Sequence, residues 1–503
     1  MLTTWSDMSL SLAPTAFTLA AGGAALLCFL LLAPDARQRA LAPLPCPPST
    51  LPIVGNTLDL MSLQLHRLHD WILEQCLLQG GKTWRLQALG APPLVVVSSV
   101  ACFEDVLKTQ FEVFDKGPRM NTIFRDVVGN SISAVDGDQW KLQRKALVHL
   151  FTMRQFRDTI TDAIERHARH FGALLDGVAS ASTSSSFFPL GDAFQRYAFD
   201  SFTEIAFGFD PKSLDRVASG DETMDAFFQA MTDMVVLMEM RFHQPDWLWQ
   251  LKRTLQVGAE RQLRDAIAVI DRKVYSIIQR TLEQPTTRAR HNVVSLIMDN
   301  MDDFQHAVED ATSQQKFLRD VGFTMLAAGK DSTGTTLTWC IILLARAPRV
   351  LATLREHLRS ELPQLFTDKS FVPSMDTVES KLVYVEAVVR ETLRLCPPVP
   401  LNAKEANRDV TLCDGTFMKQ GTRVYIPSYA LALSSFKFAA FHAGPRICIG
   451  MRFALVELKT TLAYLLSKFE FRLEKDPMDY TYEMAVSFAL KGPLRARVTP
   501  LAQ

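Results

Sequence analysis

Apolar residues recur three and four positions apart through most of this 503-residue chain, which is the spacing of a helix with one buried face. The helices predicted from it lie near 138–151, 155–175, 192–208, 222–240, 256–283, 313–346, 349–360, 379–395 and 449–468. KTWRLQAL and PLVVVSS instead predict a strand pair. VTLCDGTFMKQGTRVYIP predicts strands joined by hairpin turns at Asp414–Gly415 and Gln420–Gly421. We therefore predict a mainly α-helical fold with a small β portion, in the α+β class.

The first 34 residues predict a transmembrane anchor. No charged residue occurs from Met8 to Pro34, and FTLAAGGAALLCFLLLA is long enough to cross a bilayer core of about 30 Å as a helix. A cleaved signal peptide is the alternative, but no Lys or Arg precedes the apolar run. Asp7 precedes the run and Arg37 and Arg39 follow it, so the positive-inside tendency places the rest of the chain in the cytosol.

Five prolines occur between Pro43 and Pro52. Because proline is excluded from helix interiors, residues 35–52 are predicted to form a stiff, extended linker. The helical pattern continues on both sides of the serine-rich stretch 179–186, which we interpret as a loop. The predicted organisation is an anchor at 1–34, a linker at 35–52 and one domain at 53–503.

The composition excludes two classes of protein. The 54 Lys and Arg residues balance 54 Asp and Glu residues, unlike the basic balance of a nucleic-acid-binding protein. The eight cysteines include no C-x-x-C pair, so neither a zinc site nor a disulfide framework is predicted. Cys448 is the one cysteine whose position suggests chemistry.

Cys448 lies in FHAGPRICIG, just before a helix predicted to begin at about Gly450. Backbone N–H groups at a helix N-terminus lower the pKa of a thiol, and a thiolate can bind a metal. Gly444 and Gly450 leave room for a flat group to approach, and Arg446 supplies a cation close to the sulfur. A buried structural cysteine is the alternative, but the neighbouring residues favour a haem ligand.

The stretch also matches a known motif. Its residues fit the F-x-x-G-x-R-x-C-x-G haem-binding loop of the cytochrome P450 family, through Phe441, Gly444, Arg446, Cys448 and Gly450. WKLQR, AAGKDSTGTT and ETLR match three further motifs of that family, in the same order. The sequence therefore resembles the family from the proline-rich stretch to the C-terminus. The resemblance implies its fold, a haem b cofactor (iron protoporphyrin IX) and Cys448 as the iron ligand.

The resemblance implies roles for two of these motifs. Trp140 and Arg144 lie four residues apart on one helix face, and both would reach a haem propionate together with the loop residues. Glu391 and Arg394 would form a structural ion pair. Without the resemblance, each pair is an ordinary set of helix neighbours.

Asp331 is out of place in an almost entirely apolar helix, beside two glycines and the hydroxyls of Ser332 and Thr333. A buried acid next to a hydroxyl can deliver protons in a dry site. The resemblance implies that role for all three residues. The family has threonine where this chain has Ser332, which keeps the hydroxyl but is less restricted in χ1. A glycine-kinked helix with a capped polar patch is the alternative.

The implied activity is monooxygenation with O2. This chain has no G-x-G-x-x-G fingerprint, so its electrons must come from another protein. The resemblance implies a NADPH-dependent flavoprotein reductase, with NADPH used only indirectly, and an endoplasmic reticulum membrane protein with a cytosolic catalytic domain. Lys141, Arg144 and Lys145 would contribute to a docking face or form a solvated one.

Three stretches resemble the branch of the family whose plant and fungal members hydroxylate fatty acids at or near the terminal carbon: DGDQWKLQRKALVHLF, WLWQLKRTLQVGAERQLRDAIAVIDRKVY and DGTFMKQGTRV. Arg119 or Arg125 would then bind the carboxylate. A sterol or xenobiotic substrate is also open. The expected walls of the pocket include Met325, Ala328, Val399 and Leu401.

The segment between Pro427 and Phe441 is shorter than the family pattern, which places a further helix and a P-x-R-like motif there. Its arginine would complete a network with Glu391 and Arg394. Two hypotheses therefore stay open: an active monooxygenase and a catalytically impaired P450-like protein. An isomerase or dehydratase on the same fold is disfavoured, because Asp331 and its neighbouring hydroxyl are retained.

Overall fold

The computed structural model describes residues 35–89, 91–92, 94–181, 187–218, 226–283, 292–302, 304, 310–435 and 438–501. The predicted anchor at 1–34 lies outside them. Within them no single helix has the length and apolar character needed to cross a membrane. The helix pair Thr312–Arg346 and Pro348–Glu361 passes that test together, but it is bent by 110°.

Helices form most of the described chain, as predicted. They are α1 (Ala36–Leu41), α2 (Leu68–Leu78), α3 (Val100–Glu104), α4 (Gly117–Val128), α5 (Gly137–Thr152), α6 (Arg154–Ala181), α7 (Leu190–Phe207), α8 (Ser213–Ala218), α9 (Ala226–Glu239), α10 (Asp246–Leu255), α11 (Gly258–Glu283), α12 (Val293–Asp299), α13 (Ala311–Arg346), α14 (Pro348–Glu361), α15 (Gln364–Thr367), α16 (Met375–Lys381), α17 (Val383–Leu395), α18 (Ser428–Ser435) and α19 (Met451–Lys468). The helix predicted at 379–395 is interrupted at Leu382, between α16 and α17.

The strands are β1 (Trp84–Leu86), β2 (Leu94–Val96), β3 (Phe114–Asp115), β4 (Asn402–Ala406), β5 (Val410–Thr411), β6 (Phe417–Met418), β7 (Arg423–Ile426), β8 (Phe469–Leu473) and β9 (Ala496–Pro500). Five of them form a sheet in the order β1-β2-β7-β4-β3, and β5 with β6 and β8 with β9 form two-stranded sheets.

The antiparallel pairs β1–β2 and β5–β6 confirm the predicted strand pair and the turn at Asp414–Gly415. The second predicted hairpin is wrong. Strand β7 pairs antiparallel with β4 and parallel with β2 instead of returning along β6. A turn signal identifies where β6 ends, but the partner of β7 is decided by contacts far away in the sequence.

Helix α13 is the centre of the helical core, where it packs against α7, α11, α17 and α19. Its leucines and isoleucines at positions such as Leu326 and Leu337 are fully buried. The glycines that look out of place in its sequence allow close packing: a Cβ at Gly329 would lie 2.2 Å from the ring of Phe202 on α7. Gly329 therefore allows α13 to lie close against α7.

Residues 35–52 differ from the predicted linker. Asp35 caps α1 by accepting a hydrogen bond from Gln38 N, and Asp35 N donates one to Gln38 Oε1. Leu41 is 1% exposed and packs in an apolar cluster with residues of β2, α3 and β6. Residues 36–41 are therefore a helix packed on the domain, and the prolines follow in turns.

Candidate functional site

The loop that carries Cys448 is closed by a backbone hydrogen bond, in which Cys448 N donates to the carbonyl of Phe441 at 2.9 Å. The half-buried ring of Phe441 lies 6.0 Å from that of Phe438. Gly444 has a φ of +64°, and a Cβ there would lie 1.9 Å from the carbonyl oxygen of Leu107. The space beside Gly444 is therefore filled by protein backbone, and not left for a flat group as predicted.

The thiol of Cys448 lies at the start of α19 and is exposed to an open space. Desolvation by the surrounding protein raises the pKa of Cys448, and it outweighs the lowering by the N–H groups of Gly450 and Met451 and by the charge of Arg144. The helix terminus acts as predicted, but the net pKa shift is opposite to the prediction. Among the described residues, only the Cys448 sulfur, at 3.9 Å, would approach a Cβ at Gly450, so a flat group has room there.

Several donor atoms of the cations near this loop have no acceptor among the described residues. Within the described chain, Lys404 Nζ and Arg446 Nε are buried without a hydrogen-bond partner, and no acid pairs with Arg144, which acts on Cys448 through its charge. Burial, together with the charges of Arg446 and Lys116, lowers the pKa of Lys404 to about 7. Burial and Arg446 lower the pKa of Lys116 to about 8. This donor set fits a flat ligand with two carboxylates, such as haem.

Arg446 itself is firmly positioned. It donates to the carboxylate of Asp136 at 2.6 Å and to the carbonyl of Val135 at 3.2 Å. Its guanidinium lies over the ring of Trp140, 4.5 Å from the centroid. Trp140 and Arg446 are therefore in contact, although they lie 306 positions apart in the sequence.

The polar residues of α13 face different surroundings. Asp331 Oδ1 accepts from Lys330 Nζ at 2.7 Å, and Ser332 Oγ donates to the carbonyl of Ala328 at 2.7 Å. Ala328 is exposed within a helix that is otherwise mostly buried, and Ser332 lies one turn later on the same face. Ser332 therefore borders open space, as the predicted proton-delivering role requires.

Thr333 does not share that face. It is 1% exposed, and its hydroxyl lies 3.5 Å from Oε2 of Glu457 on α19. Oε1 of Glu457 accepts from Ser201 Oγ at 2.9 Å, which links α7, α13 and α19. Burial raises the pKa of Glu457 to about 7. The sequence analysis missed Glu457, although an acid on the apolar face of a helix was a usable signal.

Glu391 and Arg394 form the predicted ion pair. Arg394 donates from Nε and Nη2 to the two carboxylate oxygens of Glu391, both at 2.7 Å, and from Nη1 to the carbonyl of Ala432 at 2.8 Å. Arg394 is 15% exposed and Glu391 55% exposed. Arg394 therefore has an acceptor on α18, within the segment where the family pattern places the P-x-R-like motif.

A cavity of about 450 Å³ lies between α4, the residues before α10, and the chain around 399–403 and 484–486. Val399 and Leu401 line it, as predicted, with other apolar side chains. Met325 and Ala328 are not among its lining residues. Arg119 lines the cavity, and its Nε donates to Asp246 at 2.7 Å. Arg125 is exposed and does not line it.

The family model described as Cytochrome P450 matches residues 45–434 and 431–494. The two matches meet within the segment that the sequence analysis predicts to be shortened.

Similar curated proteins carry the same family name. Cytochrome P450 CYP94D108 of Paris polyphylla is 30% identical over 487 residues, covering 90% of this chain and 92% of the relative. Cytochrome P450 94A1 of Vicia sativa is 26% identical over 459 residues, with 84% of each chain covered. The crystal structure of the cytochrome P450DA heme domain matches with a TM-score of 0.72 at 20% identity, covering 92% of this chain and 98% of that one. That similarity establishes the same fold.

Proposed function

Since this chain belongs to the cytochrome P450 family and is a haem b monooxygenase supplied with electrons by a reductase, we propose that it hydroxylates a fatty acid at or near the terminal carbon. The observation that carries this proposal is the cavity of about 450 Å³, whose lining is mainly apolar and also includes Arg119 and Arg423. Such a cavity suits a long apolar chain with one charged end.

The chain's own residues account for haem binding. Cys448 would be the iron ligand at the start of α19, with Gly450 leaving room for the ring. Arg144, Lys404 and Arg446 would donate to the propionates, which would give Lys404 Nζ and Arg446 Nε the acceptors that they lack among the described residues, while Trp140 and Phe441 support the loop. When bound, a thiolate-ligated haem supplies the activation of O2 for oxygen insertion into a C–H bond.

Asp331 and Ser332 would deliver protons to the open space beside Ala328. The hydroxyl of Ser332 donates to the Ala328 carbonyl in this structure and can rotate toward the open side. Lys330 holds the carboxylate of Asp331 at 2.7 Å. Thr333 would support this arrangement from the buried side, through Glu457, instead of taking part directly.

A second candidate function, a P450-like protein that binds haem poorly, is favoured by the break in the family match at 431–434. The bond from Arg394 to Ala432 supports the active alternative, because it gives the guanidinium of Arg394 an acceptor within this segment.

The reduced, carbon monoxide-bound difference spectrum separates these two candidates. We expect a thiolate-type Soret band in the wild type, its loss in Cys448→Ala, and its retention in Cys413→Ala, which removes another exposed cysteine. If the wild type showed no such band, the second candidate, a P450-like protein that binds haem poorly, would be correct. A band that survives Cys448→Ala would overturn the ligand assignment.

Turnover with saturated fatty acids of several chain lengths tests the substrate class. We expect product with the hydroxyl at or near the terminal carbon. If a protein that shows the Soret band gave product from sterols or drug-like molecules and none from any fatty acid, this would contradict the proposed substrate class.

The proposed redox partner is the NADPH-dependent flavoprotein reductase, and the proposed location is the endoplasmic reticulum membrane. Residues 1–34 would be the anchor. Deleting them should move the protein from the membrane to the soluble fraction after cell lysis, with the Soret band unchanged. Retention in the membrane fraction would contradict the assignment of the anchor.

A further inference from the structure

We propose that Arg423, on β7, binds the carboxylate of the fatty acid and thereby fixes the distance from that carboxylate to the carbon that is hydroxylated. This inference rests on the proposed function and adds to it a residue that no sequence motif identified.

The side chains of β7 alternate between the two faces of the sheet, and Arg423 lies on the face that borders the cavity. Val424 and Ile426 are buried in the sheet packing, whereas Arg423 and Tyr425 are half-buried on the other face and line the cavity of about 450 Å³. The cation therefore lies, together with Arg119 and Asp246, in the wall of a cavity whose lining is mainly apolar.

The protein leaves this guanidinium short of acceptors. Its ion-pair partner among the described residues is Asp246, at 3.5 Å, and no hydrogen bond from its side chain is formed within the described chain. The same Asp246 already accepts from Arg119 Nε at 2.7 Å. Two arginines thus share one carboxylate, and Arg423 is the one held at the longer distance.

Glu405 does not supply the missing acceptor. It is the cross-strand partner of Arg423 in the β4–β7 register, but its carboxylate lies against Gly117, where Oε2 would be 2.9 Å from a Cβ. Burial also raises the pKa of Glu405. The side chain of Arg423 keeps 18% of its surface open, so its donors remain available to a ligand.

A haem propionate is a less suitable partner than a substrate carboxylate. Lys404, one of the cations without an acceptor near the Cys448 loop, is paired with Val424 and so leaves the sheet on the face opposite to Arg423. Arg423 therefore lines the cavity of about 450 Å³, which Lys404 does not line. The pocket that Arg423 shares with Lys404 and Lys116 has a volume of only about 20 Å³. A planar guanidinium can donate two parallel hydrogen bonds to a carboxylate, which gives the charged end of a fatty acid a fixed position.

The test compares a fatty acid with its methyl ester of the same chain length, using the haem-loaded wild type, Arg423→Gln and Arg423→Lys. We expect Arg423→Gln to raise the Kd of the acid about 10- to 100-fold, as for loss of a charge-assisted hydrogen-bonded pair, and to leave that of the ester unchanged. Arg423→Lys should lie between, because it keeps the charge without the planar fork. The hydroxylation position of the acid should spread over more carbons in Arg423→Gln.

Arg408→Gln is the matched control, because Arg408 is exposed and does not line the cavity. Unchanged ester binding shows that Arg423→Gln is folded. Equal weakening of acid and ester, an unchanged Kd for the acid, or a loss of haem with acid binding intact would each overturn the assignment. A wild type that hydroxylates the ester but not the acid overturns it as well. A wild type that accepts neither overturns the proposed function first and this inference with it.

Discussion

Arg446 and Asp136 form an ion pair of 2.6 Å that joins the loop before Cys448 to the start of α5. The same carboxylate accepts from Lys116 N at 3.0 Å and from Asn121 Nδ2 at 3.2 Å. One side chain therefore holds the starts of α4 and α5 against the loop that carries the proposed iron ligand.

Asp136→Ala should be strongly destabilising, because it leaves Arg446, which is 8% exposed, without its charged partner. Loss of one member of a buried ion pair costs about 3–5 kcal/mol. Equilibrium denaturation measures the change in the free energy of unfolding. The control is Asp138→Ala, whose side chain is 94% exposed and 3.8 Å from Lys141, and which should change little. Similar losses in both variants would contradict the role of Asp136.

Lys404→Met should have opposite effects on the apo and haem-bound protein. The Lys404 ammonium is buried without a hydrogen-bond partner among the described residues, so its removal should stabilise the apo protein by about 1–3 kcal/mol. The same variant should hold haem more weakly, since a propionate would lose its donor. Unfolding of apo protein and the haem-to-protein ratio measure the two effects.

Lys145→Met is the control for that prediction, because Lys145 is exposed on α5 and should change neither quantity. If Lys404→Met weakened the apo protein and left haem content unchanged, Lys404 would not be a propionate donor.

Sequence reasoning predicted the helices best, including the start of α19 just after Cys448, because helices are encoded by local spacing. It missed Lys404, since a cation on a short strand gives no local sign that folding will bring it close to Arg446. It placed Thr333 with Ser332 because the two are adjacent, although neighbours on a helix point about 100° apart and only Ser332 borders the open space. Long-range packing decided these cases.

The buried carboxyl of Glu457 should make stability depend on pH. Its pKa is raised by burial from 4.5 to about 7, so the folded state binds this proton more tightly than the unfolded state. The stabilising contribution of the Glu457 proton to the free energy of unfolding is fully present below pH 4.5. It is lost as the pH rises toward 7, by up to about 1.4 kcal/mol per pH unit. Denaturation of the wild type and Glu457→Gln at pH 5 to 8 measures this.

Glu457→Gln should reduce the pH dependence of the free energy of unfolding. Glu470→Gln, on the exposed side of β8, should leave it unchanged. An unchanged slope in Glu457→Gln would mean that other groups cause it.

Arg394→Ala should cost more stability than Glu391→Gln. The first variant removes both the pair with Glu391 and the bond to the Ala432 carbonyl, whereas the second keeps the latter. Glu391 is also 55% exposed, so its charge contributes little. We expect a difference of about 1–2 kcal/mol in the free energy of unfolding and faster proteolysis at α18 in Arg394→Ala. Equal losses would mean that the link to α18 is not important.

The parallel pairing of β2 with β7 also constrains how the chain can fold during translation. The hairpin of β1 and β2 leaves the ribosome early, but the register Val96 to Tyr425 cannot form until the chain near residue 426 has been made. At about 5–20 residues per second, this leaves the edge of β2 unpaired for tens of seconds. Chaperone supply and translation speed should therefore influence the yield of folded protein, and C-terminal truncations before β7 should aggregate through that edge.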